Sequence, residues 1–202
     1  MTSVRRVTLA CAALALAASA VLTGCSTSEA GAAATFSNGR ISDADLTAQV
    51  AEILEAKGQS ASTTDPRLVQ QTLGRMITQR LIAEMSAEEG VEITQGTLDE
   101  MRRAYEAQIG GADALVEAFL AENVAPSQID ALLLLQMQAQ ELGYVFNPRG
   151  SAEEQGQAVF TEVSAYSLEM ETTVSPRYGT WDPQTLSLGP VPTDLSMPPA
   201  LD

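Results

Sequence analysis

The stretch that decides the fold is DPRLVQQTLGRMITQRLIAEMSAEEG, residues 65–90. Asp65 is a good N-cap and Pro66 suits the first helical turn, so together they predict the start of a helix. Gly90 predicts its end. The apolar residues between these points recur at helical spacing, at Leu68 or Val69, Leu73, Met76, Ile77, Leu81 and Met85. A helix of about 24 residues would extend roughly 36 Å, which is enough to run through the centre of a small domain.

Shorter helical patterns flank this long helix on both sides. Ser42 begins the first of them with a capping-box arrangement, and Gly58 ends it. Four more helices are predicted at residues 94–110, 112–122, 126–143 and 151–170. Gly143 is expected to end the helix that begins at Pro126. The run Leu132–Leu135 is apolar on every side. Its helix therefore either lies at the centre of the bundle or uses one of its faces to contact something outside the domain. No repeat is present, and the sequence predicts a mainly α, non-repetitive bundle of five to six helices in one domain, residues 36–182.

Two short segments without helical periodicity are expected to join the ends of this bundle. Residues 36–41 read as an extended segment with a turn at Asn38-Gly39, and residues 172–174 as a short strand. Since neither has another partner, we expect them to form an antiparallel pair. Residues 177–182, which include Trp181, are expected to lock the C-terminal segment onto the bundle, with a recognition surface as the alternative. Residues 183–202 are rich in proline and predict a disordered tail.

The N-terminus has the layout of a secretory leader. Arg5 and Arg6 precede an apolar stretch, residues 7–22, which is shorter than the roughly 20 residues that span a bilayer. Leu22-Thr23-Gly24-Cys25 then resembles a bacterial lipobox. The resemblance implies cleavage of a signal peptide, residues 1–24, a diacylglyceryl thioether on Cys25, and a new amino group open to a further acyl chain. Residues 25–35 would be the lipidated cysteine and a flexible tether, holding the domain on the outer face of the cytoplasmic membrane after export by the general secretory route.

The charge and the rare residues narrow the classes of function. The net charge is −15, from 26 acidic and 11 basic residues, which argues against partners such as nucleic acid or an anionic lipid surface. Histidine is absent, and the two cysteines are Cys11 in the leader and Cys25. Without imidazole or a free thiol, the usual nucleophile pairs and zinc sites are excluded. Carboxylate chemistry remains open, but the acids are spread along helix faces, so we predict no enzyme, no metal and no cofactor.

Three blocks together resemble a known family. Residues 36–46 (FSNGRISDADL), residues 87–94 (AEEGVEIT) after the long helix, and residues 174–182 (VSPRYGTWD) look like SurA N-terminal-type chaperone domains found in lipoproteins of actinobacteria. The resemblance covers about residues 36–182 and implies a helical domain that cradles unfolded or extended segments of exported proteins. Relatives often carry a histidine-dependent parvulin-type prolyl isomerase domain. This chain has neither histidine nor room for it, so isomerase activity is not expected.

Several adaptable apolar side chains are candidates for contact with such a client. Thioether and aromatic groups can repack against varied partners, although ordinary core filling at helical spacing is the alternative for each of them. The candidate client-binding residues are Met76, Met85, Met101, Tyr105, Phe119, Met137 and Phe146. The sequence thus predicts a membrane-anchored, chaperone-like lipoprotein, with an envelope scaffolding lipoprotein that binds one specific folded partner as the alternative.

Overall fold

The computed structural model describes residues 31–63 and 65–191. Within these ranges the chain is mainly helical, as predicted, and two short 3-10 turns and five short strands complete it. The α-helices are α1 (Asp43–Ala56), α2 (Pro66–Glu88), α3 (Gln95–Ile109), α4 (Ala112–Ala121), α5 (Ile129–Phe146) and α6 (Ala152–Glu169). The strands are β1 (Ala32–Phe36), β2 (Gly39–Ser42), β3 (Thr173–Val174), β4 (Trp181–Asp182) and β5 (Ser187–Leu188).

The long helix α2 occupies the centre of the bundle and packs against α1, α5 and α6. The Asp65 carboxylate accepts hydrogen bonds from the backbone N–H groups of Arg67 and Leu68, at 3.0 and 3.1 Å, which confirms the predicted N-cap. Leu73, Ile77 and Leu81 are fully buried along one face, and so is most of the predicted apolar stripe. The long helix therefore organises the large core, in which α1, α2, α6 and the second half of α5 meet.

Helix α5 corrects one prediction, because it continues through Gly143 to Phe146. Gly143 is buried, and a Cβ at this position would lie 3.0 Å from the Cβ of Gln155 on α6. The glycine therefore allows α5 and α6 to approach closely and does not break the helix. The run Leu132–Leu135 lies on this helix, with Leu133 fully buried and its neighbours partly buried. Of the two predicted alternatives, Leu133 fits a central helix, while Leu132, Leu134 and Leu135 keep some contact with solvent.

The first sheet confirms the predicted antiparallel pair between the N- and C-terminal segments, but it corrects the residues that pair and the extent of the predicted tether. It has the order β2-β1-β3, and the β1–β2 turn lies at Asn38 as expected. However, β3 pairs with residues 34 and 35 of β1 and not with the 36–41 segment. Residues 32–35, expected to belong to the tether, are part of this strand, and Ala32, Ala33 and Ala34 are all buried. A run of small residues resembles a linker in sequence, but here the small side chains allow the strand to be covered on both faces.

The C-terminal segment is fixed to the bundle, as predicted. Trp181 is only 8% exposed, and its Nε1–H donates to the Ser167 hydroxyl at 2.8 Å. The Tyr178 hydroxyl donates to Asp43 at 2.9 Å, and Arg177 forms an ion pair with the same carboxylate. At Gly179 φ is +124°, and a Cβ there would lie 2.4 Å from the carbonyl oxygen of Gly189. These contacts join the C-terminal segment to both α1 and α6.

The predicted disordered tail begins too early. Residues 183–191 belong to the folded part, because β5 pairs with β4 in an antiparallel hairpin. Proline content alone suggested disorder there, whereas the hairpin is held by the buried Trp181 at its base. Residues 192–202, the predicted signal peptide, Cys25 and the first part of the tether lie outside the described residues.

Replacing Ser167 with Ala tests the anchoring of the C-terminal segment. The change leaves the buried Trp181 N–H without its acceptor, so the free energy of unfolding should fall by about 1–3 kcal/mol. Trp181 is the only tryptophan, and its fluorescence during urea unfolding measures the loss directly. Ser164→Ala on the same helix is the control, since its partly buried hydroxyl bonds to no described residue. Equal stability of the two variants would contradict the proposed anchor.

Candidate functional site

Helices α3 and α4 form a hairpin that packs on the first half of α5. The Thr94 hydroxyl accepts the backbone N–H of Thr97 at 3.2 Å and starts α3, as predicted. Gly110 and Gly111 then adopt φ values of +105° and +118°, which reverse the chain between the two helices. The hairpin has its own small apolar centre, separate from the large core.

This centre, the hairpin cluster, has few buried side chains. Its buried members are Leu98, Leu115, Val124, Ile129, Leu133 and Met137. A larger number of apolar side chains pack against them while keeping contact with solvent. We call these the hairpin surface: Ile93, Met101, Tyr105, Val116, Phe119, Leu132 and Leu134. The hairpin cluster thus buries its centre but leaves its periphery partly exposed, and Ile109 at the end of α3 is 37% exposed.

The structure brings four of the seven predicted client-binding residues together here. Met101, Tyr105 and Phe119 are partly buried and belong to the hairpin surface. Met137 belongs to the cluster beneath them but is only 9% exposed. Met137 is therefore a core residue, which corrects the expectation that it contacts a client.

The other three predicted residues lie elsewhere. Met76 and Phe146 pack, partly buried, against the large core. Met85 is a buried member of that core at 5% exposure, so ordinary core filling explains it and the predicted client contact is wrong. Helical spacing could not separate these cases, because it shows which residues face inward without showing how completely the neighbouring helices cover them.

Sequence reasoning missed four residues of the hairpin surface as client contacts. Leu132 and Leu134 were visible in the leucine run, whose all-round apolar character indicated a possible external contact. Ile93 precedes the Thr94 cap, and Val116 lies on α4, where nearly every position is small or apolar. The spacing of Val116 three residues before Phe119, which places both on one face of α4, was the signal that could have identified Val116.

A polar clamp beside the hairpin surface fixes α3 to α5. Arg102 bonds to Glu106 at 3.0 Å on its own helix and also pairs with Asp130 on α5. The hydrogen bonds that Arg102 donates to the Glu106 and Asp130 carboxylates raise the pKa of Arg102, because they stabilise its charged form. The Tyr105 hydroxyl reaches the side-chain oxygen of Gln136 at 3.4 Å. The hairpin surface is therefore apolar in its middle and has charged and amide groups at its side.

Two features are absent from the described residues. Between residues 31 and 191, excluding residue 64, no group of three or more histidine, cysteine or acidic side chains is arranged to hold a metal ion. No helix in the same part of the chain is long and apolar enough to cross a membrane. What the arrangement can do is bury apolar groups from a partner.

Comparisons of the chain with family models, with characterised proteins and with solved structures found no match. The resemblance to SurA-type domains therefore stays a prediction from three short sequence blocks. The hairpin surface and the leader sequence are the features from which a function can be argued.

Proposed function

We propose that this protein is a membrane-anchored, extracytoplasmic chaperone-like lipoprotein that binds unfolded or extended segments of exported polypeptides. It does so without prolyl isomerase activity. The observation that supports the proposal most is the hairpin surface, where seven apolar side chains surround a small cluster and remain partly exposed. A folded chain gains nothing from leaving such groups in water, whereas a partner that covers them gains about 25 cal/mol for each Å² of apolar surface buried.

The kinds of side chain on this surface suit varied clients. Met101 is unbranched and can change rotamer to fit different shapes, while Tyr105 and Phe119 offer flat faces of large area. Surfaces of this composition bind many partners because they repack instead of demanding one fixed shape. An unfolded polypeptide, which presents apolar side chains in no fixed arrangement, is the occupant that such a surface fits.

The acidic charge and the proposed anchor complement this surface. With a net charge of −15, the chain is repelled by an anionic membrane and by other copies of itself. An acyl-modified Cys25 would nevertheless hold it at the membrane, since two acyl chains anchor a protein stably where one does not. The domain would then stand beside the bilayer at the place where exported chains emerge unfolded.

Replacing Met101 and Phe119 together with Gln tests the hairpin surface. Each loses about 1.5–3 kcal/mol of apolar burial against a client, so affinity should fall about a hundredfold or more. The measurement is the amount of purified full-length protein needed to slow the aggregation of an unfolded client by half. Phe160→Gln is the matched control, because Phe160 is 38% exposed on α6 and belongs to neither apolar cluster.

The outcomes of this experiment separate the two proposed roles. We expect the double variant to need far more protein than the wild type, and the Phe160 variant to match the wild type. Failure of the wild type to slow aggregation at a stoichiometric amount would overturn the chaperone role. Crosslinking that captures one folded partner in a fixed ratio would then favour the scaffolding alternative.

Replacing Cys25 with Ala tests the anchor. Only a thiol forms the thioether that carries the lipid, so the variant should move from the membrane fraction to the soluble fraction. The measurement is a fractionation of cells followed by detection of the protein in each fraction. Tight membrane association of the Cys25 variant would contradict the lipoprotein assignment without bearing on the hairpin surface.

A further inference from the structure

A concave region lined mostly by polar and cationic groups lies outside the hairpin surface. It is a groove of about 470 Å³ between α2 and the end of the β4–β5 hairpin. Its α2 side is formed by Arg67, Gln70, Gln71, Gly74, Arg75 and Thr78, and its other side by residues 186–188. None of these residues belongs to the hairpin surface, so the groove is a separate site.

The groove is cationic in a strongly acidic protein. From residue 66 to residue 83, α2 carries three arginines and no acid, although the chain has 26 acids and 11 bases. Arg80 pairs with Glu84 at 2.9 Å. Arg67 and Arg75, the two arginines that line the groove, form no ion pair with any residue in the described part of the chain. The positive charge of these two arginines is therefore not neutralised by an ion pair within the described residues.

Partial burial disfavours the positive charge of Arg75. Its guanidinium is partly buried and donates to the carbonyl oxygen of Asn123 at 2.5 Å. Burial lowers the pKa of Arg75, because removing the guanidinium from water disfavours its charge. Lys57, also without an ion pair among the described residues, bonds to the side chain of the same Asn123. Arg75 thus donates to a neutral carbonyl oxygen, whereas a charge removed from water is normally balanced by an opposite charge.

Gly74 forms part of the groove wall without a steric reason to be glycine. Glycine in a helix interior is unfavourable relative to alanine. A Cβ on Gly74 would lie 3.9 Å from the nearest atom, a methyl carbon of Leu188, which is an ordinary contact. Alanine would therefore fit, so close packing does not explain the glycine, which adds no side chain to the groove wall. The groove therefore has free space beside two arginines that form no ion pair in the described part of the chain.

We propose that this groove binds a carboxylate presented by an extended peptide segment. Arg67 and Arg75 supply guanidinium groups, which bind carboxylates through paired N–H donors. The amide oxygen of Gln71 accepts from Asn123 at 3.0 Å, so its amide nitrogen is left to donate to a ligand. Leu186 and Leu188 on the opposite wall offer contact to a neighbouring apolar side chain. A peptide uses both walls, whereas a small free acid would use only the cationic one.

The test measures binding of a fluorescent peptide, GADLAGADLG, to the full chain by fluorescence anisotropy. The negative net charge opposes any non-specific attraction of an acidic peptide. Arg67→Gln should weaken binding about tenfold, because a charge-assisted hydrogen bond contributes about that much. Arg103→Gln is the matched control, since Arg103 is exposed on α3, binds only a backbone carbonyl and loses the same charge. The Asn version of the peptide, GANLAGANLG, should bind at least tenfold more weakly.

A second variant guards against a loss of structure. Gly74→Gln keeps both arginines and the Asn123 contact but places a side chain in the groove, so it should also weaken peptide binding. Circular dichroism confirms that each variant is folded. Equal weakening by Arg67→Gln and Arg103→Gln, or no binding by the wild type, would overturn the proposal. Displacement of the peptide by free glutarate at the peptide's own concentration would overturn the choice of a peptide as the ligand.

Discussion

The interaction on which the rest of the structure depends is the packing of α5 into both apolar clusters, its first half into one and its second half into the other. Its first half, with Ile129 and Leu133, enters the hairpin cluster, while Leu142 near its end lies in the large core. A helix with apolar side chains on more than one face is stable only if other elements cover those faces. Here α2 and α6 cover one end of α5 and α3 covers the other. The bundle and the hairpin are therefore one folded unit joined through this helix.

The unequal size of the two apolar clusters connects the fold to the proposed function. The large core is covered by four helices, the first sheet and the anchored Trp181. Its buried apolar groups therefore stabilise the fold and are not accessible to a partner. The hairpin cluster is covered by α3 and α4, with Ile93 and Val124 beside them, and two short helices cannot enclose every apolar side chain that faces them. The residual exposure at Met101, Tyr105 and Phe119 follows from this geometry, and it places adaptable side chains where a partner can reach them.

Local signals predicted the helices well, and tertiary contacts decided the rest. The caps at Ser42, Asp65, Thr94 and Ser151 were predictable because each acts on a backbone group within three residues. The strand at Ala32–Phe36, the continuation of α5 through Gly143 and the β4–β5 hairpin were not, since each depends on a distant partner. For the candidate site, helical spacing identified Met101, Tyr105 and Phe119, but the covering of Met85 and Met137 depends on how neighbouring helices pack.

The most direct measurement of the central idea is amide hydrogen exchange of the full chain with and without an unfolded client. If the hairpin surface receives the client, exchange should slow in α3, α4 and the first half of α5 when the client is added. The amides around Phe160 on α6 should exchange at the same rate in both conditions. Protection confined to α6 or to the β4–β5 hairpin, with α3 and α4 unchanged, would contradict the assignment of the client site.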